Sequence, residues 1–288
     1  SPRPIGSLLA CNEEGQYCGS LSGGCVEDDL RESIFQGKLA RDKPERIKYG
    51  VAVEDVMRLG LPCGGTLEVV VEPLKPDQSR LYRQLAEKIN ARQLITRSVD
   101  IDTGVCSLRD ADEFAPLSLD GRQMEHTYGP GFQLLLIGAV QVAFYLAEMA
   151  QALDYHVEIC DPRAELVGNA PVSNVPMINA MPDDWLREKT IDMHTAVIAL
   201  CHDPRIDDMA LMEVLHRDAF YIGAMGSART SRKRRERLQL LDISETQIAK
   251  LHAPVGLDIG SKTPPEIAIA ILAELTRLRA TVRKSASA

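Results

Sequence analysis

The chain has 288 residues, 45% of them hydrophobic, and a formal net charge of −8. That length and apolar content suffice for one large or two ordinary domains with real cores, and the acidic balance argues against generic nucleic-acid binding, which needs a basic surface. The one long apolar stretch, residues 132–150, is broken by Gln133, Gly138, Gln141 and Glu148; it reads as strand, turn and helix, so no membrane span is expected.

The chain opens Ser1-Pro2-Arg3-Pro4 without an initiator Met, and residues are expected to precede it. Two glycine-rich loops follow, each with a thiol: Gly19-Ser20-Leu21-Ser22-Gly23-Gly24-Cys25-Val26-Glu27 and Leu61-Pro62-Cys63-Gly64-Gly65-Thr66. Glycine pairs open conformations closed to other residues and let main-chain N–H groups approach a ligand. Val26, Leu30 and Ile34 recur at helical spacing ahead of Gly37, a suitable stop. Cys25 is therefore expected at a helix N-terminus, where orphan amides and the macrodipole favour thiolate. Cys63 is expected on a loop entering the strand 66–73. The bland alternative is that both cysteines are small packing residues between tight turns.

A helix is predicted over 79–93, with Leu81, Leu85 and Ile89 aligned, and then a hairpin of 94–99 with 105–108 around Asp102-Thr103-Gly104. Residues 1–116 thus read as an α+β domain. Residues 117–130, with Gly121, Gly129 and Pro130, read as a linker. Beyond it, apolar strands alternate with helices: strands at 132–137, 156–161, 195–201 and 220–222, helices at 140–153 and 207–216. Such alternation implies right-handed crossovers and a doubly wound parallel sheet. Residues 131–288 are read as a Rossmann-like domain.

Its first turn, Gly138-Ala139-Val140-Gln141-Val142-Ala143, nearly matches the dinucleotide fingerprint, and Asp161 falls where a ribose-binding acid belongs. Val140 stands at the position of the middle glycine, where its side chain would obstruct a pyrophosphate; NAD(P) is not expected to bind there. His202 and Asp203 lie at the carboxyl end of a later strand, the ligand side of such sheets. Gly226, Ser227 and Arg229 form a second candidate anion site opening the basic run Arg232-Lys233-Arg234-Arg235, which could equally be a solvated face. Thr263 with Glu266 fits a capping box for a final helix, whose Ile267, Ile271 and Leu275 stripe suits core packing.

Seven widely spaced cysteines with no secretory signal argue against a disulfide framework and for a reducing cytoplasm. No CxxC pair suggests structural zinc.

Taken in order, GSLSGGCVE at Gly19 to Glu27, PCGG at Pro62 to Gly65, the GAVQVA turn, Asp161-Pro162-Arg163, His202-Asp203, YIGAMGS at Tyr221 to Ser227, and GLDIG at Gly256 to Gly260 through Thr263-Pro264 closely resemble the XdhC/CoxI family. The resemblance spans nearly the whole chain and departs at Val140, usually Gly, and Gln141, usually His. It implies a maturation factor that binds the molybdenum cofactor, as molybdopterin or its dinucleotide, supports its sulfuration by a cysteine desulfurase, and delivers it to a molybdenum hydroxylase apoenzyme of the xanthine dehydrogenase type. It implies a homodimeric cofactor chaperone without small-substrate turnover. Gly23, Gly24, Glu27, Gly64, Gly65, Gly138, Ala139, Asp161, His202, Asp203, Gly226, Ser227 and Arg229 become candidate cofactor contacts, with Cys63 and Cys25 toward the metal–sulfur end. The alternatives are an NAD(P)-dependent oxidoreductase and a scaffold that only recruits partners.

Overall fold

The computed structural model describes residues 3–22, 25–50 and 66–285. The chain divides into two compact units between Pro130 and Gly131.

In the first unit, β1 (Leu9–Cys11) and β2 (Tyr17–Gly19) form an antiparallel pair ahead of helix α1 (Cys25–Phe35). The helix buries Val26 and Leu30 against Tyr49 and Val69, which come from a second antiparallel pair, β3 (Glu45–Tyr49) and β4 (Leu67–Val71). Gly37 ends that stretch at φ +61°, a left-handed position suited to glycine. After helix α2 (Ser79–Asn90) comes a four-stranded antiparallel sheet of β5 (Ile95–Asp100), β6 (Cys106–Asp110), β7 (Ser118–Asp120) and β8 (Gln123–Tyr128), in the order β6-β5-β8-β7. The hairpin of β5 and β6 is closed by Asp100, whose Oδ1 accepts from the Thr103 N–H at 2.9 Å.

The last two strands correct the linker expected at 117–130. β8 pairs along its whole length with β5, burying Met124 and Thr127, and β7 pairs back on β8 across Gly121. Gln123, Glu125 and His126 of β8 are polar and at least partly exposed, so the segment has the composition of a connection while its backbone is committed to a ladder.

The second unit is a six-stranded parallel sheet. Its strands are β9 (Gln133–Ile137), β10 (His156–Cys160), β11 (Met177–Ile178), β12 (Thr195–Ala199), β13 (Tyr221–Ala224) and β14 (Leu251–His252), ordered β11-β10-β9-β12-β13-β14. Counting from β9, this is the doubly wound order 3-2-1-4-5-6, which reverses direction between β9 and β12 and so opens a crevice at their carboxyl ends. The helices are α3 (Gln141–Gln151), α4 (Ala164–Gly168), α5 (Pro182–Glu188), α6 (Pro204–Val214), α7 (Ala228–Leu240), α8 (Glu245–Ile248) and α9 (Pro264–Ser285). Every residue of β9 and β12 is buried because two apolar layers cover the sheet. One includes Leu146, Ile271 and Leu275 from α3 and α9; the other includes Leu211, Val214 and Leu238 from α6 and α7. The start of α9 is held by Glu266, whose Oε2 accepts from the N–H groups of Lys262 at 2.8 Å and Thr263 at 2.9 Å. Among the described residues no helix is long and apolar enough to cross a membrane.

Candidate functional site

Two of the regions singled out in the sequence are described, one in each unit. In the first, Gly19 takes φ +92°, and a side chain there would collide with the Leu8 carbonyl, which accepts from the Ser20 N–H at 3.0 Å. The chain then turns toward α1 around Glu27. This carboxylate is only 8% exposed. Its Oε1 accepts from Ser20 Oγ and Leu21 N at 2.9 Å and from Ser22 N at 2.8 Å, and its Oε2 accepts from Ser22 Oγ at 2.6 Å. Glu27 was expected to face a cofactor. It gathers the loop that precedes its own helix, because buried amides and hydroxyls need an acceptor and an ionised carboxylate satisfies several at once. Cys25 begins α1 as expected. Gly23, Gly24, Cys63, Gly64 and Gly65 lie outside the described residues.

The second region is the crevice of the parallel sheet, where loops from three strands meet. After β9, Gly138 takes φ +107°, and a Cβ there would stand 2.9 Å from the Cys201 backbone, so the turn and the end of β12 approach through glycine alone. After β10, Asp161 is fully buried. Its Oδ2 accepts from Ala139 N at 2.7 Å and from Arg163 Nη2 at 2.6 Å, and its Oδ1 accepts from Arg163 N at 2.9 Å and Nε at 2.8 Å. Arg163 then crosses to the third loop, donating from Nη2 to the Cys201 thiol at 3.0 Å.

The electrostatics follow from these contacts. Burial alone would raise the Asp161 pKa, but the bonds from Arg163 and from the Ala139 amide bring it below the ordinary carboxylate value. The same pairing raises Arg163. Cys201 is pushed up by burial, with Arg163 opposing and Asp161 and Asp207 adding to the rise, so it stays a thiol at neutral pH. Both oxygens of Asp161 are taken up by the protein, and the partly exposed group beside it is Arg163, whose side chain is 36% exposed. Beside it, α3 starts at Val140 without a side-chain cap, leaving its first amides for an anion. Val140 itself packs against the apolar layer under α3.

The remaining candidates occupy neighbouring loop ends. His202 is exposed at φ +63°, and Asp203 caps α6, its Oδ1 accepting from Arg205 N at 3.0 Å; its pairing with Arg205 holds the carboxyl down at about 2. Gly226 and Ser227 follow β13, with Ser227 Oγ accepting from Thr230 N at 3.1 Å as the cap of α7. Arg229 is exposed. The basic run behind it is divided: Arg232 and Lys233 are solvated, whereas Arg234 is 2% exposed and donates to Asp207 Oδ2 at 2.8 Å, Asp208 Oδ1 at 3.1 Å and the Met225 carbonyl at 3.1 Å. Asp207 in turn accepts from Cys201 N at 3.1 Å, so this ion network braces the floor of the crevice. Burial pushes Asp207 up to about 6 despite Arg234.

Arg163 and the Asp207–Arg234 pair were not among the candidates. Arg163 was visible as part of Asp161-Pro162-Arg163, where an acid and a cation two residues apart can pair across a turn; Arg234 was hidden in a basic run that reads as surface. Among the described residues no group of three or more His, Cys, Asp or Glu could hold a metal ion.

A sequence profile described as the XdhC Rossmann domain matches residues 134–275, and one described as the XdhC and CoxI family matches residues 1–50. The chain is 28% identical over 278 residues to the molybdenum cofactor insertion chaperone PaoD of Escherichia coli K12, covering 96% of this chain and 79% of that one. It is 25% identical over 303 residues to a Bacillus subtilis 168 protein named as a probable xanthine dehydrogenase subunit, covering 96% of this chain and 89% of that one. Its fold is that of a crystal structure described as a xanthine dehydrogenase from Bacillus halodurans, with a TM-score of 0.78 at 24% identity over 98% of this chain and 88% of the other.

Proposed function

The chain belongs to the XdhC and CoxI family, and from that premise we propose that it is a maturation factor for a molybdenum hydroxylase of the xanthine dehydrogenase type. In this reading it binds the molybdenum cofactor, supports its sulfuration with a cysteine desulfurase, and delivers it to the apoenzyme, acting in the cytoplasm as a homodimer. The observation that carries the reading is end-to-end similarity to a relative whose name is that of a molybdenum cofactor insertion chaperone.

The crevice of the second unit agrees with it. Molybdopterin carries a phosphate, and its dinucleotide form a pyrophosphate. The uncapped amides of α3 and the outward guanidinium of Arg163 fit such an anion. The bound group would supply a molybdenum–sulfur centre. The chain's own residues hold the phosphate end and orient it: Asp161 fixes Arg163, and Gly138 brings the turn against Cys201. Gly226, Ser227 and Arg229 are a further anion contact, and Cys63 and Cys25 are the thiols proposed to serve the sulfur chemistry, thiolates being suited to soft centres.

The competing reading is an NAD(P)-dependent oxidoreductase, favoured by the doubly wound strand order. With both oxygens of Asp161 already engaged, no acid at the end of β10 remains for a ribose diol. One preparation separates the two. The protein purified from cells making the cofactor should release a fluorescent pterin on oxidation and should restore activity to an apo molybdenum hydroxylase. Absence of pterin together with micromolar NAD(P) binding in calorimetry would replace this reading with the oxidoreductase.

A further inference from the structure

The start of α7 carries a hydroxyl that the fold buries and leaves unbonded. Ser231 is fully buried, and its Oγ has no hydrogen-bond partner among the described residues, although its N–H donates to the Ser227 carbonyl at 2.8 Å. A buried hydroxyl without a partner loses its hydration uncompensated. What this oxygen faces is set by Gly226, at φ +155°. A Cβ there would stand 3.9 Å from Ser231 Oγ and 3.2 Å from Cβ and Cγ2 of Thr230, so glycine keeps open the side of the turn that the hydroxyl faces.

The groups around that opening are donors. Ala228 and Arg229, the first two residues of the helix, have no acceptor for their amides among the described residues. Ser227 Oγ accepts from Thr230 N at 3.1 Å and is bonded to Thr230 Oγ1 at 2.9 Å; whichever hydroxyl donates, the hydrogen of the other is left over. The first turn holds no acid, although the macrodipole would favour one there. It is followed instead by exposed cations, Arg229, Arg232 and Lys233, in a chain of net charge −8. At this end they oppose the dipole and, three and four residues apart, repel one another, while their side chains lean back toward the helix start. The turn is held in advance: the Met225 N–H donates to the Ala199 carbonyl at 2.9 Å, and the Met225 carbonyl accepts from the buried Arg234 at 3.1 Å.

We propose that the start of α7 binds a phosphate monoester dianion, with Ser231 Oγ completing the donors around its oxygens. The inference rests on the reading of Gly226, Ser227 and Arg229 as an anion contact and adds the class of anion and the residue that holds it. Two negative charges turn the opposed dipole and the mutual repulsion of the cations into attraction. The hydroxyl of Ser231 is stranded in the free protein and satisfied in the complex, so it contributes to affinity and not to the stability of the free fold.

The test uses the full chain purified from cells that do not make the molybdenum cofactor. It is titrated at pH 7.5 with phenyl phosphate, a monoester that carries about two negative charges there, and with phenyl sulfate, its singly charged analogue. Amide NMR should show saturable shifts at residues 226–231, and calorimetry should find phenyl sulfate about tenfold weaker. Ser231→Ala should lower the affinity for phenyl phosphate about fivefold, as one hydrogen bond predicts, while its melting temperature stays level or rises because a stranded hydroxyl is gone. Arg229→Gln should lower the affinity and flatten its dependence on salt. With Arg163→Ala the shifts at 226–231 should persist, which separates this site from the crevice. Absence of those shifts, equal affinity for the sulfate, or a Ser231→Ala variant that melts lower with its affinity unchanged would each overturn the proposal. Since the protein is free of cofactor, these readouts and the release of pterin can fail independently.

Discussion

Both regions singled out by their glycines contain a buried acid that holds a loop, but Glu27 and Asp161 do so differently. Glu27 accepts from neutral, local donors, the hydroxyls of Ser20 and Ser22 and the amides of Leu21 and Ser22, five to seven positions back along the chain. The partners of Asp161 are a cation two residues on and an amide 22 residues back, on the turn of another strand. The first arrangement shapes one connection. The second ties two connections together and orients a guanidinium whose far edge reaches a third, 38 positions along at Cys201. A carboxylate that only accepts from neutral donors can be replaced at the cost of those bonds. One that is itself buried and also pairs with a partly exposed cation leaves that cation and a buried amide without an acceptor when removed.

The largest effect should therefore come from Asp161→Ala, with a loss of about 3 kcal/mol in chemical denaturation of the whole chain, because it strands Arg163 and the Ala139 amide together. A loss below about 1 kcal/mol would mean that water replaces the carboxylate freely, and the comparison would fail. Glu27→Ala should cost about 1–2 kcal/mol, since its neutral partners in a part-buried loop regain water. Hydrogen exchange should show the added opening at residues 20–22 and the first turn of α1, leaving the crevice protected. Destabilisation by Glu27→Ala exceeding that by Asp161→Ala would reverse the ranking.

Arg163→Ala sharpens the distinction by leaving the acid in place. Affinity for pyrophosphate, measured by calorimetry at low salt, should fall about tenfold if the guanidinium contributes a charge-assisted contact. Arg229→Ala should have a smaller effect, because an exposed cation is already solvated. Equal losses would shift the anion site toward the start of α7.

The smallest effect is a difference in acid response between the units. In the first, burial holds His126 below the usual histidine value, with Arg97 adding to the shift. A lowered folded value means that stability is complete above about pH 6.5 and is lost as pH falls through that range. In the second, Asp207 is raised to about 6, so its folded form gains a proton first and stability rises as pH falls from 7 toward 4. Asp161 works below that window: its folded value is lowered, so its contribution is present above the ordinary carboxylate range and is lost as pH falls further. Hydrogen exchange at pH 7.5 and pH 5.5 should show the sheet of β5 and β8 loosening while α6 and α7 tighten. Asp207→Asn should abolish the second change, and a parallel response of both units would contradict the assigned shifts.

Much of the fold was legible. Apolar runs at β9, β10, β12 and β13, separated by helical periods, permit little except parallel strands with crossovers. The two-residue strands β11 and β14 are too short to carry a period, and they become strands only because a neighbouring edge is available. The supposed linker failed for a related reason. β7 and β8 pair across Gly121, but of their residues only Met124 and Thr127 are buried, three positions apart, so the polar text carries no period-two pattern. At the candidate sites, the glycine turns, the helix starts and the identities of Glu27 and Asp161 were readable; their partners, Arg163 among them, were not.

The sequence by itself determined the apolar strands β9, β10, β12 and β13 with the helices between them, the glycine turn at Gly138, the capping of α9 by Thr263 and Glu266, and the family. These depend on residues within a few positions of one another, where backbone sterics and short-range hydrogen bonds decide the outcome. Tertiary structure decided which acids face inward, that Arg163 rather than Asp161 is turned outward, and that Arg234 leaves a basic surface run to lie buried between Asp207 and Asp208. A carboxylate or guanidinium has the same intrinsic chemistry at any position. Its role is set by which donors, charges and apolar walls the fold brings within about 3 Å of it, and those come from chain segments that no local pattern connects.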